Sequence, residues 1–275
     1  MLAAHNTSDD NGINLLQDSD VLVEEEKSKN ENMYGLSAQQ WNPFRGCNFD
    51  CIYCMESSFQ SFGDRRLYDC KKCNNYEPHE HPERLLPEYE LEETPYMKFI
   101  FTCSSGDISF CSTEFLQLII NRIKQEPDKN FLIQSKNPDT FNRVRFPKNV
   151  ILGTTIETNR DVLYRENNIS KAPVPSKRYE DFLNVNHYQK MVTLEPLLDF
   201  DLDVMIEWIC NINPLFVWIG TDDTSSSIYK NKLEPSIDKI IQLYVELGIR
   251  GYAVMLKDKL IKRIHNIESN HEAID

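Results

Sequence analysis

The chain has 275 residues and a formal net charge of -13 at pH 7, with 43 acidic against 30 basic side chains. Such an excess of negative charge disfavours broad electrostatic attraction to nucleic acid or anionic lipid, although it leaves room for a local basic groove. No apolar run approaches the roughly 18 residues of a membrane span, and the N-terminus lacks an export-signal pattern. We therefore expect a cytoplasmic protein that does not act at a membrane.

The first part of the chain differs in texture from the rest. Residues 1–32 are polar and acidic with little apolar periodicity, which predicts a disordered tail. We assign residues 33–265 to one folded domain, with a cysteine-containing insertion at about 58–90, and residues 266–275 to a C-terminal tail.

Six short apolar runs then follow one another along the chain. Runs of this length, apolar at successive positions, are typical of strands buried on both faces of a parallel sheet. They are "YMKFIFTC" (96–103), "NFLIQS" (130–135), "NVILGTTI" (149–156), "KMVTLE" (190–195), "LFVWIG" (215–220) and "GYAVML" (251–256).

Amphipathic segments separate these runs. The clearest are residues 112–126, which open at a serine and close before Pro127, residues 202–212, and residues 235–248. Strands that alternate with helices indicate an α/β fold, either a doubly wound open sheet or a barrel. No G-x-G-x-x-G follows the first strand, which weakens the dinucleotide-binding alternative. We predict a partial or full (β/α) barrel.

Polar residues recur directly after these predicted strands. The carboxyl ends of parallel strands meet on one face, where both barrels and open α/β sheets bind ligands. The sequence therefore predicts a site at that face. The candidates are "SSGD" (104–107), Ser135 with Lys136, Glu157, Glu195, "TDD" (221–223) and Lys257. The bland alternatives remain a capping or arginine-binding role for Glu195 and ordinary solvation for both lysines.

Three cysteines lie within eight residues of one another in "CNFDCIYC". Cys47, Cys51 and Cys54 have the spacing C-x3-C-x2-C, and Tyr53 directly precedes the last. Clustered cysteines in a long intracellular chain more often bind metal than form disulfides. Short spacings of this kind let one loop wrap an iron-sulfur cluster, and three ligands leave one of four irons open. The alternative is a zinc knuckle completed by a histidine or a later cysteine.

A second pair of cysteines lies in the predicted insertion. Cys70 and Cys73 form a C-x2-C pair that is followed by His79 and His81, a ligand set that suits a small tetrahedral zinc site. Free surface thiols, a redox pair and a structural task for His81 are the alternatives. We expect the isolated Cys103, Cys111 and Cys210 to be core residues.

"CNFDCIYC" resembles the signature of the radical S-adenosylmethionine (SAM) superfamily. The resemblance implies a 4Fe-4S cluster on Cys47, Cys51 and Cys54, with SAM chelating the open iron. Reductive cleavage of SAM would then give methionine and a 5'-deoxyadenosyl radical, chemistry that belongs to the cofactor. It also implies a full or partial α/β barrel, and an electron donor such as a flavodoxin or ferredoxin.

The rest of the chain is similar to one branch, an uncharacterised group of bacterial and phage proteins related to this superfamily. Seven weak motifs appear in order over about residues 41–223. This resemblance implies fold and cofactor but no substrate. The motifs are "WNPFRGC", "HPERLLP", "FTCSSGDIS", "FLIQSKNP", "ILGTTIET", "VTLEPLL" and "FVWIGTDD".

The superfamily resemblance also implies roles for the polar strand ends. It assigns the cofactor's amino group to Ser104, Ser105, Gly106 and Asp107, although the sequence departs there from the common Gly-Gly-Glu form. It assigns the methionyl carboxylate and the ribose to Ser135 with Lys136 and to Glu157, and the adenine to Tyr53. Glu195 and Asp222 are the candidate catalytic groups on the substrate side.

Together these observations predict a radical SAM enzyme acting on an unidentified substrate. The alternative is a zinc-stabilised, non-catalytic binding protein on a barrel scaffold. The net charge disfavours a nucleic-acid substrate without excluding one, because a photolesion-repair branch of the superfamily acts on DNA.

Overall fold

A computed structural model describes residues 34–54, 70–221 and 233–272 of the chain. The predicted tail (1–32), residues 58–69 of the predicted insertion and the candidate Asp222 lie outside these residues. In the part described, seven strands form one sheet. They are β1 (Ser37–Trp41), β4 (Phe99–Thr102), β5 (Phe131–Gln134), β6 (Val150–Thr155), β7 (Lys190–Leu194), β8 (Phe216–Ile219) and β9 (Ala253–Leu256).

All neighbouring strands of this sheet are parallel. Their spatial order, β1-β4-β5-β6-β7-β8-β9, is the order in which they occur in the sequence. A doubly wound sheet reverses its strand order at a switch point, whereas a barrel winds in one direction. The sheet is therefore a curled half-barrel with β1 and β9 as its outermost strands, and the predicted partial (β/α) barrel is confirmed.

Most of the helices lie between successive strands of the parallel sheet, and the last one follows β9. Two of them begin where the sequence predicts, because a serine side chain caps each one. Ser112 Oγ accepts a hydrogen bond from Phe115 N at 3.1 Å, and Ser236 Oγ accepts one from Lys239 N at 3.3 Å. In chain order the helices are α1 (Lys71–Asn74), α2 (Thr113–Ile123), α3 (Asp161–Glu166), α4 (Pro175–Asn184), α5 (Leu202–Ile212), α6 (Ile237–Ile249) and α7 (Asp258–Glu272).

The two faces of the sheet carry different cores. Because side chains alternate along a strand, every second residue faces the helices, as do Ile133, Leu152 and Val192. The intervening residues form a separate inner cluster without helix residues. This cluster contains Tyr34, Phe99, Phe101, Leu132, Ile151, Met191, Phe216 and Trp218, and we call its side of the sheet the inner face.

A small two-stranded antiparallel sheet is formed by one strand before the cysteine loop and one after it. Strand β2 (Phe44–Arg45) pairs with β3 (His79–Glu80), so Arg45 lies opposite His79. This strand pair brings the end of residues 70–81 against the residues that lead into Cys47.

Two of the isolated cysteines, Cys103 and Cys111, are buried in the outer core, and Cys210 packs against it half-buried. None of the described helices has the length and apolar character that a membrane span requires.

Candidate functional site

The loop that carries Cys47, Cys51 and Cys54 is fastened to the segment after α3. Ile52 N donates to Ile169 O at 3.0 Å, and Lys171 N donates to Phe49 O at 2.7 Å. Phe49 and Cys51 are buried there beside Ala172. These contacts join residues more than 100 positions apart, so the loop takes its shape from the folded domain.

None of the three cysteines forms a disulfide, and their thiols lie within electrostatic range of one another. Phe49 N donates to Cys47 Sγ at 3.4 Å, and Cys51 Sγ donates to Ser170 Oγ at 3.1 Å. Burial, reinforced by the charge of Asp107, raises the pKa of Cys47. Burial also raises the pKa of Cys51, although Lys136 opposes that shift. Without a bound cation, both thiols are therefore held in the neutral form.

The cysteine loop lies over the carboxyl ends of the sheet. The charge of Asp107, which follows β4, contributes to the pKa shift of Cys47. The charges of Lys136 and Glu157, which follow β5 and β6, contribute to the pKa shift of Cys51. The backbone makes the same connection, because Gly46 N donates to Ser105 O at 3.0 Å and Asp107 N donates to Gly46 O at 3.2 Å.

Gly106 permits this close approach. A side-chain carbon on Gly106 would lie 2.9 Å from both the nitrogen and the oxygen of Gly46. Only a residue without a Cβ lets the two backbones pair at this distance.

Glu157 is the centre of a buried charged network. Its carboxylate is fully buried: Oε1 accepts hydrogen bonds from Lys136 Nζ at 2.9 Å and from the Tyr53 hydroxyl. Oε2 lies 2.7 Å from Arg178 Nη1, with which it forms an ion pair. Lys136 Nζ also donates to the Tyr53 hydroxyl oxygen at 2.6 Å. Burial alone would raise the pKa of Glu157, but the charges of Arg178 and Lys136 outweigh it and lower the pKa to about 2. Three predicted cofactor residues, Tyr53, Lys136 and Glu157, therefore meet in one network.

Asp107 organises the turn after β4. Its carboxylate accepts hydrogen bonds from Ser109 N at 2.9 Å and Ser109 Oγ at 2.7 Å. It also accepts from Ser135 Oγ at 2.7 Å and Lys136 N at 2.8 Å. Asp107 and Ser135, predicted on two different strands, are thus direct partners, and the carboxylate joins the ends of β4 and β5.

The neighbouring serines are held by a residue that precedes β2. Asn42 Oδ1 accepts from Ser105 N at 2.8 Å and from Ser104 Oγ at 3.2 Å. The predicted segment 104–107 is therefore anchored at both ends by polar side chains.

Glu195 belongs to a second charged pair. Lys257 Nζ lies 3.2 Å from Glu195 Oε2 and 4.5 Å from the centre of the Tyr34 ring. Both residues flank Gly220, where an added side-chain carbon would lie 2.8 Å from Lys257 and 3.0 Å from Glu195. The structure thus brings Glu195 together with Lys257 at the ends of β7 and β9. Its catalytic role stays a prediction.

The second cysteine pair does converge with the two histidines. The ligand atoms of Cys70, Cys73, His79 and His81 all lie within 4.8 Å of one another. The sequence predicted that these four residues form one group, and the fold brings them together; zinc binding itself stays a prediction.

Three contributors to the site were not predicted from the sequence: Arg178, Asn42 and Ser170. Arg178 lies in the segment "KRYEDF", where charged residues are typical of a solvated helix face, yet its side chain is fully buried. An arginine opposite a buried carboxylate becomes visible only once α4 is packed on the sheet. Asn42 and Ser170 act through hydrogen bonds to distant backbone and side-chain atoms, which no local pattern reveals.

No protein-family model matches the chain, and no curated protein does. Among solved structures, the chain is similar to Streptococcus suis SuiB, crystallised bound to the precursor peptide SuiA. The two share 10% sequence identity with a TM-score of 0.49, over 81% of this chain and 48% of the SuiB chain. The chain thus corresponds to about half the length of SuiB. A likeness of this size carries no information about activity.

Proposed function

We propose that the chain is a radical SAM enzyme in which Cys47, Cys51 and Cys54 hold a 4Fe-4S cluster. One observation supports this best: a partly buried loop with three cysteines, none of them in a disulfide, lies over the carboxyl ends of a parallel half-barrel. Barrels bind their reactive groups at that face.

The donor set fits such a cluster. Three thiols on one short loop can bind three different irons and leave the fourth for another ligand. Hydrogen bonds to cysteine sulfurs tune such clusters, and Phe49 N already donates to Cys47 Sγ at 3.4 Å. The iron of a bound cluster would add positive charge beside these thiols and would favour their thiolate form.

When bound, the reduced cluster would supply one electron to the sulfonium of SAM, giving methionine and a 5'-deoxyadenosyl radical. The protein's part is to bind and orient. We assign Tyr53, Lys136 and Glu157 to the cofactor side, where the lysine can present positive charge to a carboxylate and the glutamate can accept hydrogen bonds from hydroxyl groups. The Asp107 carboxylate already accepts four hydrogen bonds, so we do not assign it to direct contact with the cofactor. Asp107 and its partner Ser135 would instead position the turn 104–106.

We place the substrate on the side of Glu195 and Asp222, with both as the candidate catalytic groups. Glu195 continues the alternation of inner-face residues beyond Met191 of β7. A flavodoxin or ferredoxin would deliver the electron.

The enzyme proposal is tested by product release. The protein is reconstituted anaerobically with iron and sulfide, reduced with dithionite and incubated with SAM. We expect 5'-deoxyadenosine and methionine in equal amounts, a loss of at least about 100-fold in Cys51→Ser, and retention in Cys210→Ser. The proposal fails if the wild-type protein releases no more 5'-deoxyadenosine than a protein-free reaction.

The second candidate is a zinc-stabilised, non-catalytic protein. It is favoured by the four-residue group of Cys70, Cys73, His79 and His81. A protein that contains zinc alone after anaerobic reconstitution, and that does not cleave SAM, would support it.

A further inference from the structure

The residues of the insertion form a compact knuckle, which we define as residues 70–81. The Sγ of Cys70 lies 3.3 Å from His79 Nε2. The Sγ of Cys73 lies 3.2 Å from His79 Nε2 and 3.2 Å from His81 Nε2. Four potential ligand atoms from two cysteines and two histidines thus face a common centre.

These contacts match a tetrahedral ion better than hydrogen bonding. Zinc binds sulfur at about 2.3 Å and nitrogen at about 2.0–2.1 Å, which sets a sulfur-to-nitrogen separation of about 3.6 Å in a tetrahedron. The observed separations are only a few tenths of an ångström shorter. When both Nε2 atoms are unprotonated, the two thiol protons can serve only two of the three close sulfur-to-nitrogen contacts, so at least one contact joins two lone pairs. A shared cation would resolve all three.

The hydrogen bonds made by the Nδ1 atoms of the two histidines also favour a metal ion. His79 Nδ1 donates to Glu77 O at 2.6 Å, and His81 Nδ1 donates to Glu83 Oε1 at 2.6 Å. Each histidine therefore carries its proton on Nδ1 and turns the lone pair of Nε2 toward the thiols. Histidines that bind metals are held in this way, with the outer nitrogen donating to a carbonyl or a carboxylate.

We propose that Cys70, Cys73, His79 and His81 bind one zinc ion, and that this ion holds the knuckle against the start of the cysteine loop. A tetrahedral set of two sulfurs and two imidazole nitrogens is typical of structural zinc, with no coordination position left for a substrate. The zinc site is independent of the proposed function; its effect on the loop deepens that function.

The contacts between the knuckle and the loop are made by backbone atoms. Cys47 N donates to Tyr76 O at 3.3 Å, and His81 N donates to Pro43 O at 2.7 Å. Gly46 has φ 90°, and a side-chain carbon there would overlap the Glu77 carbonyl oxygen. His79 is itself the strand partner of Arg45. Displacing the histidines would therefore displace the residues that enter the loop at Cys47.

The first test measures zinc in the full-length protein with Cys47, Cys51 and Cys54 all changed to Ser. This variant cannot form the proposed cluster, so failure of the enzyme proposal leaves the result unaffected. We expect one zinc per chain by mass spectrometry of the metal, and X-ray absorption showing two sulfur and two nitrogen ligands. The further change Cys73→Ser should remove the zinc, whereas Cys210→Ser should not.

Absence of zinc from the triple variant, or a ligand shell of another composition, would overturn the inference without relying on the folding of Cys73→Ser. The second test follows hydrogen exchange after zinc is removed with a chelator. Exchange in residues 44–47 should rise at least about tenfold, while β6 stays unchanged. If residues 44–47 exchange equally slowly without zinc, the ion does not hold the loop.

Discussion

Arg178 Nη1 lies 2.7 Å from Glu157 Oε2, and neither side chain is exposed to solvent. The arginine is fixed further by donating from Nε to Pro173 O at 2.8 Å and from Nη1 to Thr155 O at 2.5 Å. A helix and a strand end are thus joined by a buried ion pair directly beside the proposed cofactor residues. Burying two charges is costly unless both are compensated.

Removing the negative partner should destabilise the fold. The change Glu157→Gln leaves the Arg178 guanidinium buried without its counter-charge, so the free energy of unfolding should fall by about 3–5 kcal/mol. Urea denaturation measures the effect. The matched control is Glu166→Gln, because Glu166 is exposed at the end of α3. If the free energy of unfolding falls by less than about 1 kcal/mol in Glu157→Gln, the ion pair does not stabilise the fold by the expected amount.

His187 should make stability depend on pH. Its Nε2 donates to Val150 O at 2.6 Å, and burial lowers the pKa of the imidazole despite that bond. The unfolded chain therefore binds a proton more readily than the folded one as pH falls through the ordinary histidine pKa of about 6.5. The stability from neutral His187 is present above that pH and is lost below it. Between about pH 7.5 and 5.5, wild type should lose more unfolding free energy than His187→Gln, and equal losses would contradict this.

Gly46 should be irreplaceable where Gly248 is not. An alanine at Gly46 would strike the backbone of Glu77 and Pro78, and the residue has φ 90°. A carbon added at Gly248, inside α6, meets nothing within 4 Å. We expect Gly46→Ala to lose several kcal/mol of stability and most bound iron, and Gly248→Ala to gain up to about 1 kcal/mol. Urea denaturation and iron analysis of both variants test this. Unchanged iron content in Gly46→Ala would contradict the close packing of Gly46 against Glu77 and Pro78.

Lys136 should matter for binding SAM. Its Nζ lies at the junction of Tyr53 and Glu157, near the carboxyl end of β5. A charge-assisted hydrogen bond contributes about 1.5–3 kcal/mol, so Lys136→Met should weaken the Kd for SAM by about tenfold or more. Lys148→Met, at an exposed position, is the control. Equal Kd values for SAM in the two variants would show that Lys136 does not contact the cofactor.

The sheet could be predicted from sequence because six of its strands are apolar at successive positions. Strand β1 was missed, since "SAQQW" has a half-exposed edge pattern with polar residues at its centre. Helix α4 was missed because its segment mixes charged residues with Pro175 and carries a buried arginine among them. Local sequence patterns show periodicity, but they cannot show which charged side chain will be buried when another helix or strand packs against it.

The candidate site was likewise only partly predictable from the sequence. Polar residues directly after strands could be predicted to gather, and Asp107 with Ser135, like Lys136 with Glu157, are in direct contact. The spacing of Cys70, Cys73, His79 and His81 likewise predicted a group that the fold brings together. The partners that hold these groups, Asn42 and Arg178, come from distant segments and carry no local signature.

The central claim is that Cys47, Cys51 and Cys54 hold a 4Fe-4S cluster with one open iron. The most direct measurement is the iron and sulfide content after anaerobic reconstitution, with the electron paramagnetic resonance spectrum of the reduced protein before and after SAM is added. We predict about four iron and four sulfide per chain, a spectrum that changes with SAM, and loss of both in Cys51→Ser. Zinc as the only metal in the wild type, or iron content unchanged in Cys51→Ser, would contradict the claim.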